Sequence, residues 1–293
     1  MRKTDDEYME IAYREACRSL REGNYGFGAV VIDDSGEIVC SSHDTERTEA
    51  DSTLHAELTA IRTASKKRGH DLSNCKIFCT HEPCPMCSTA IYWSGIREIA
   101  YSFTIQEALH ENRKRLDIGC REIFRRAGCD VEIAEHFLYD KCKYLYLKEI
   151  REEVKKLRNK DKKELERLGD LIKEKRIRWA HENHSEIGDT TSLMTGYKAL
   201  LKKLDISEND APILHRDENT ILFHSRNYCP TLEACILLGY DTRIVCRHLL
   251  EDATDGFLKA INPRMKFERN YDKIRPYCEY CEEMIRLSGE VEV

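Results

Sequence analysis

The sequence CTHEPCPMCSTAIYW, residues 79–93, joins the end of a predicted strand to the start of a predicted helix. Cys84 and Cys87 each follow a proline and lie three positions apart, so both sulfurs are expected at one helix N-terminus. The partial positive charge at a helix N-terminus favours the thiolate form of cysteine, which is the form that binds metal ions. The stretch therefore predicts a strand–turn–helix unit that presents two metal ligands at its turn.

Strand and helix patterns alternate on both sides of this stretch. Thr4 and Glu7 have the spacing of a capping box, which predicts a helix from about Asp5 to Arg21. The predicted strands are GFGAVVID, EIVCSS, CKIFCT, IREIAYS and DVEIAE, and the further predicted helices are HAELTAIRTASKKRG, PCPMCSTAIYWSG and a short one near 104–114. This alternation predicts a three-layer α/β/α domain over residues 1–147, with a mixed, largely parallel sheet covered on both faces.

The rest of the chain predicts a linker and a second domain. Residues 148–178 carry a net charge of +5 and one apolar stripe at helical spacing, which predicts a charged, solvated helical linker or, alternatively, an RNA-binding arm. Residues 179–293 predict a second mixed, mainly helical α+β domain. No apolar run is long enough to span a membrane and the first residues lack an export signal pattern, so a cytoplasmic location is expected.

A third metal ligand is expected from LHAEL, residues 54–58. A hydrolytic zinc ion takes three protein ligands and leaves one position for water. His55 begins a predicted helix that packs on the same sheet. His55, Cys84 and Cys87 together therefore predict a catalytic zinc site, and Glu57 is close enough to transfer protons there. A structural zinc site is the alternative, although such sites usually have a second ligand pair and need no neighbouring carboxylate.

The pattern H-x-E…P-C-x-x-C over residues 5–147 resembles the cytidine deaminase-like zinc deaminase superfamily. STLHAELTAIRTA and CTHEPCPMCSTAIYW are most similar to its guanine deaminase and tRNA adenosine deaminase branch. The resemblance implies a homodimeric, zinc-dependent hydrolytic deaminase that converts an amino group on a nucleobase or related heterocycle to the oxo form and releases ammonia.

Two alternative functions stay open at this point. One is a tRNA or other nucleic-acid deaminase acting on adenosine or cytosine. The net charge of −5 over residues 1–147 favours a small heterocyclic amine over nucleic acid, because phosphate contacts require many basic residues. The other is a non-catalytic, zinc-stabilised sensor, against which the presence of Glu57 argues.

The resemblance also suggests substrate contacts. Relatives carry asparagine eleven positions before the ligand histidine, where this chain has Asp44; a carboxylate only accepts hydrogen bonds and would suit a ring with two N–H groups or an amidine-like substrate. A turn residue in a flexible loop is the alternative for Asp44. Phe27 and Ala29 match the pocket wall of relatives, although Phe27 is equally suited to a core. Ala56 and His43 are further candidates, with a surface histidine as the alternative for His43.

The second predicted domain carries its own resemblance. Residues 226–249 and 265–285 are similar to a family related to L-2-aminothiazoline-4-carboxylate hydrolases, which implies a ligand-binding or hydrolytic domain for a small heterocycle. Cys278 and Cys281 form a second C-x-x-C pair at a predicted helix start. Together with Cys229 and Cys246 they are a candidate second metal site, and packed thiols are the alternative.

Overall fold

The computed structural model describes residues 3–288 and divides the chain into two compact units, Met1–Lys155 and Lys156–Val293. Each unit has a sheet of its own. Across residues 3–288 no helix combines the length and the apolar content that crossing a membrane requires.

The first unit alternates helices and strands. Its elements are α1 (Asp5–Glu22), β1 (Gly28–Asp33), β2 (Ile38–His43), α2 (Ala56–Arg68), β3 (Cys75–His81), α3 (Pro85–Ser94), β4 (Glu98–Phe103), α4 (Ile105–His110), α5 (Cys120–Arg126), β5 (Glu132–Ala134), α6 (Tyr139–Cys142) and α7 (Lys148–Leu157), which runs across the boundary between the units. The predicted capping box of Thr4 and Glu7 is present at α1. Helix α5 was not predicted, because seven residues are too few for a helical period to be evident.

The sheet of the first unit has the strand order β2-β1-β3-β4-β5. Strand β1 is antiparallel to both β2 and β3, whereas β3, β4 and β5 are parallel. The predicted mixed sheet is confirmed: β2, β3, β4 and β5 run in one direction, and β1 runs against them. The tight turn between β1 and β2 is too short for the crossover that a parallel pair needs.

Helices cover both faces of this sheet. Val31, Ile77 and Ile99 belong to a core that also contains residues of α2, α3 and α5. Phe78, the neighbour of Ile77 on β3, instead contacts Tyr8 of α1, with ring centroids 5.3 Å apart. Because successive side chains of a strand point to opposite faces, α1 lies on one face and the other three helices on the second. The predicted three-layer α/β/α architecture is confirmed.

The second unit is mainly helical, as predicted, with a separate antiparallel sheet of order β6-β7-β9-β8. Its elements are α8 (Lys162–Glu182), α9 (His184–Ile187), α10 (Leu193–Leu204), β6 (Ile213–Arg216), β7 (Thr220–Ser225), α11 (Pro230–Leu238), α12 (Thr242–Cys246), α13 (Asp252–Ile261), β8 (Met265–Arg269) and β9 (Cys281–Leu287). Its core joins Ala180 of α8, Tyr197 of α10, Phe257 of α13 and Ile285 of β9.

The segment 148–178 differs from the expected solvated linker. It contains α7 and most of α8, separated by a short break, and α8 continues to Glu182. Leu165, Gly169 and Arg176 of α8 are buried, and the helix packs against α13 of the second unit. The apolar stripe that suggested a narrow connector is therefore part of a packed unit. The functional division of the chain into domains stays a prediction.

The helix start expected near Cys278 and Cys281 is wrong. Residues 276–280 form turns and bends, and Cys281 is the first residue of β9. Glu283 and Ile285 are both buried and lie two residues apart, as expected for one face of a β-strand. Within the described part of the chain these cysteines do not form a group close enough to hold a metal ion together with Cys229, so the second metal site is not supported.

Candidate active site

Three side chains from two helix starts meet in the first unit. His55 is the N-cap residue of α2, Cys84 is the N-cap residue of α3, and Cys87 lies in the first turn of α3. His55 Nδ1 is 3.6 Å from the Cys84 sulfur and 3.5 Å from the Cys87 sulfur. Zinc–sulfur and zinc–nitrogen bonds at a tetrahedral angle would place such atoms about 3.5 Å apart. The donor set and its spacing therefore fit one zinc ion.

Charge and hydrogen bonding support this arrangement. A hydrogen bond from Cys87 lowers the pKa of Cys84 to about 4, so one sulfur of the pair is already a thiolate. On the other side of the imidazole, His55 Nε2 lies 3.7 Å from the carboxylate of Glu46. A carboxylate on the outer nitrogen of a ligand histidine fixes the ring orientation and leaves the inner nitrogen available to a metal.

Glu57 lies in the first turn of α2, two residues after His55. It is only 6% exposed, yet it lines a cavity that His55 and Cys84 also line. Burial, followed by the nearby Cys84 thiolate, raises the pKa of Glu57 to about 7. A carboxyl group with this pKa can both accept and donate a proton near neutral pH.

The cavity has a volume of about 410 Å³ and a wall of aromatic rings. The ring of Phe27 stacks on Tyr146, with centroids 5.6 Å apart, and lies edge-on to His81 at 5.4 Å. Phe27 lines the cavity, and its ring also contacts the guanidinium groups of Arg113 and Arg115. A contact between Phe27 and a substrate stays a prediction. His81 and Tyr146 were not singled out from the sequence.

Cationic side chains form another part of the wall. Arg113, Lys114, Arg115 and Arg151 all line the cavity. Arg113 is 7% exposed, and its guanidinium lies 4.9 Å from the ring centroid of Phe27. Its Nη1 atom is buried without a hydrogen-bond partner, and within residues 3–288 no ion pair joins these four cations to a carboxylate. The sequence NRKRL at 112–116 indicates a local cluster of positive charge, but the net charge summed over residues 1–147 does not reveal it.

Asp44 is fully buried directly after β2, at the start of the irregular segment that leads to α2, and its role as substrate contact or turn residue stays a prediction. Its Oδ1 accepts a hydrogen bond from the Tyr25 backbone N–H at 3.4 Å, and its Oδ2 has no partner. Burial raises the pKa of the carboxyl group. Its carboxylate, that of Glu46 and the His55 ring lie within 4.8 Å of one another, so Asp44 borders the candidate zinc site.

Three other predicted substrate contacts lie away from the cavity wall. His43 is at the end of β2, where its ring bonds Glu15 at 2.8 Å and Glu22 at 2.9 Å, both on α1. Ala29 is fully buried in β1, and Ala56 is fully buried at the start of α2. None of the three is among the residues that line the cavity, so their side chains are not supported as substrate contacts. The alternative of a surface histidine does not fit His43 either, because only 11% of its side chain is exposed.

A three-layer α/β/α unit with a histidine–cysteine–cysteine cluster beside a buried glutamate defines a class of zinc-dependent aminohydrolases, which act on amidine C–N bonds. Residues 2–103 match the model of the cytidine and deoxycytidylate deaminase zinc-binding region. The chain belongs to this family.

Relatives of several specificities are similar to the chain. A probable cytosine deaminase of Schizosaccharomyces pombe is 29% identical over 46% of this chain and 86% of its own length. A guanine deaminase of Bacillus subtilis is 38% identical, with 33% of this chain and 63% of the enzyme covered. A tRNA-specific adenosine deaminase of the same organism is 33% identical, with 37% of this chain and 73% of the enzyme covered. A solved structure of Bacillus subtilis guanine deaminase is 35% identical with a TM-score of 0.35, covering 37% of this chain and 69% of that one.

Proposed function

We propose that the protein is a hydrolytic deaminase that replaces an amino group on a nucleobase or related heterocycle by oxygen and releases ammonia. The observation that carries the proposal is the position of Glu57, a buried carboxyl group on the cavity wall next to the histidine–cysteine–cysteine cluster. A purely structural zinc site would not need a buried acid at this place. The relatives of the chain support the same chemistry.

In this mechanism His55, Cys84 and Cys87 would hold zinc, which would supply the Lewis-acid chemistry that makes water reactive near neutral pH. Glu57 accepts a proton from the attacking water and passes it to the ring nitrogen beside the amine-bearing carbon. The new C–O bond makes that carbon tetrahedral. Glu57 then carries the second proton of the water to the amino group, so that the C–N bond breaks and ammonia leaves. Phe27, which lines the cavity, would contact the substrate ring.

The experiment that tests this function is an ammonia-release assay on purified protein with measured zinc content. The panel contains cytosine, guanine, adenine, their nucleosides, aminopterins and aminotriazines. We expect one zinc ion per chain and turnover of one chemical class. If the purified protein contains zinc but releases no ammonia from any compound of the panel and none from RNA, the proposed function is refuted.

A second candidate substrate class is an aminated base that carries a phosphate, as in a nucleotide or an RNA strand. Arg113, Arg115 and Arg151 favour it, because Arg113 is buried beside the aromatic wall with an unsatisfied Nη1. A charged hydrogen bond is worth about 1.5–3 kcal/mol. R113Q should therefore lower kcat/KM for a 5′-monophosphate by about tenfold to a hundredfold and leave the matching free base unchanged.

The control is R14Q, since Arg14 is exposed on α1. Equal effects of R113Q on the phosphorylated and the free base would exclude phosphate recognition by Arg113. Comparing a 5′-monophosphate with a short RNA hairpin separates the two sources of phosphate.

We also propose a homodimer, as the resemblance implies. Trp93 on α3 is 75% exposed and Met86 on the same helix is exposed, which is compatible with an apolar contact surface. Light scattering on the wild type and on W93A tests this assembly, and a monomeric wild type would contradict it.

A further inference from the structure

The second unit contains a cavity of about 220 Å³ that the proposed deaminase function does not use. One part of its wall is apolar and is formed by Leu200, Leu204, Ile206, Leu250 and Ile274. The same wall also includes three arginines, Arg176, Arg269 and Arg275. Arginine in a small, largely apolar cavity is unusual, because burying a charged group without a counter-charge is costly.

The negative charge in this cavity does not balance the arginines. Among the described residues that line it, Glu283 supplies the single carboxylate. Glu283 accepts hydrogen bonds from Arg269 and from the Ser225 hydroxyl, so it is already engaged. Arg176 donates to Thr254, a neutral partner, at 2.6 Å. Burial and the neighbouring charge of Arg269 lower the pKa of Arg176 to about 10. The cavity therefore has an excess of positive charge.

Within residues 3–288, two buried guanidinium nitrogens of the arginines on this wall have no hydrogen-bond partner. Only 10% of the Arg269 side chain is exposed, and its Nη1 atom has no hydrogen-bond partner among the described residues. Arg275 donates from Nη1 to the Asn227 carbonyl at 2.7 Å, whereas its Nε is buried and unsatisfied. An unsatisfied buried donor costs about 1–3 kcal/mol, and more on a charged group. An oxyanion in the cavity would bring acceptors to the wall that these two arginines line.

The start of α11 adds to the positive potential. Cys229 is the N-cap residue of this nine-residue helix and, with Pro230 and Thr231, lines the cavity. The positive end of the helix dipole favours an anion there. Burial raises the pKa of the Cys229 thiol, so the cysteine is neutral. A neutral thiol suits a site that binds an anion reversibly rather than one that attacks it.

We propose that this cavity is a binding site for a small organic anion, with one carboxylate or phosphate group held by Arg269 and Arg275. The apolar body of the ligand packs against Leu200, Leu204 and Ile206. The guanidinium geometry suits either oxyanion, because its parallel N–H groups match both. The volume of about 220 Å³ suits a small molecule.

Calorimetric titration of the full-length protein with benzoate, phenyl phosphate and benzamide tests this proposal. Benzamide has the shape of benzoate without its charge. We expect benzoate, phenyl phosphate or both to bind the wild type, and benzamide to bind at least tenfold more weakly. R275Q should weaken anion binding about tenfold or more, which corresponds to about 1.4 kcal/mol. The matched control is R264Q, since Arg264 is exposed in the same unit.

Tighter binding of benzoate would identify a carboxylate as the preferred oxyanion, and tighter binding of phenyl phosphate would identify a phosphate. Absence of binding by both anions, equal binding of benzamide, or an equal effect of R264Q would overturn the proposal. A second measurement does not depend on the folding of R275Q: thermal unfolding of the wild type with each of the three probes. A bound anion should raise Tm at saturation and benzamide should not, because a ligand that binds the native state stabilises it. An unchanged Tm with both anions would also overturn the proposal.

Discussion

Replacing Glu57 by glutamine removes the proposed proton carrier and preserves the shape of the side chain. The remaining acids on the cavity wall have other contacts. Glu82 accepts the backbone N–H groups of Ile105 at 2.9 Å and Cys120 at 2.8 Å, and Glu46 lies against the His55 ring. His81 is also engaged, since its Nδ1 lies 2.8 Å from the Glu82 carbonyl, and burial holds its pKa well below the usual range. No described group of this wall is positioned to replace Glu57.

The expected loss of activity therefore lies at the upper end of the range for acid–base catalysis. That range is about 10²–10⁴-fold, and Glu57 serves two proton transfers in the proposed mechanism. We expect kcat of E57Q to fall by about 10⁴-fold, equivalent to about 5.4 kcal/mol in the activation barrier. KM should change little, because glutamine keeps the side-chain volume.

The assay combines steady-state ammonia release on the substrate found in the panel with zinc analysis of the same sample. E37Q is the control, because Glu37 is an exposed acid of the same unit. E57Q should contain as much zinc as the wild type and E37Q. Turnover of E57Q within tenfold of the wild type would refute the role of Glu57. Loss of zinc from E57Q would show instead that Glu57 stabilises the zinc site.

Two further predictions concern the stability of the first unit. A Cβ atom on Gly28 would lie 1.9 Å from a backbone oxygen of α1, so G28A should lower the free energy of unfolding by about 3 kcal/mol or more in urea titrations. Gly128 has open space around it but a φ of +63°, so G128A should lower the free energy of unfolding by about 1–2 kcal/mol. Equal effects of the two substitutions would contradict the steric argument. Glu15 and then Glu22 raise the pKa of His43, so its contribution to stability is complete below pH about 6.5 and disappears as pH rises through the higher folded-state pKa. H43Q should remove this part of the pH dependence of unfolding, and an unchanged pH profile would exclude it.

Much of the first unit was predictable because its signals are local. The capping box at Thr4 is contained within four residues, and the positions of His55, Cys84 and Cys87 at helix starts follow from the adjoining strand and helix patterns. The sheet was less predictable. Its antiparallel β2–β1–β3 part depends on which strands pair, and strand composition does not specify pairing.

The sequence by itself determined the ligand types, their spacing and the glutamate beside them, since each of these is written in a few consecutive residues. Tertiary structure decided what surrounds them. Arg113 and Arg151 are far apart in the chain from Phe27, yet they line one cavity with it, and Asp44 became fully buried. In the second unit, Arg269 and Arg275 share a cavity with Cys229. Burial and charge at such sites depend on long-range packing, because the energy of a charged group is set by the groups that folding places around it.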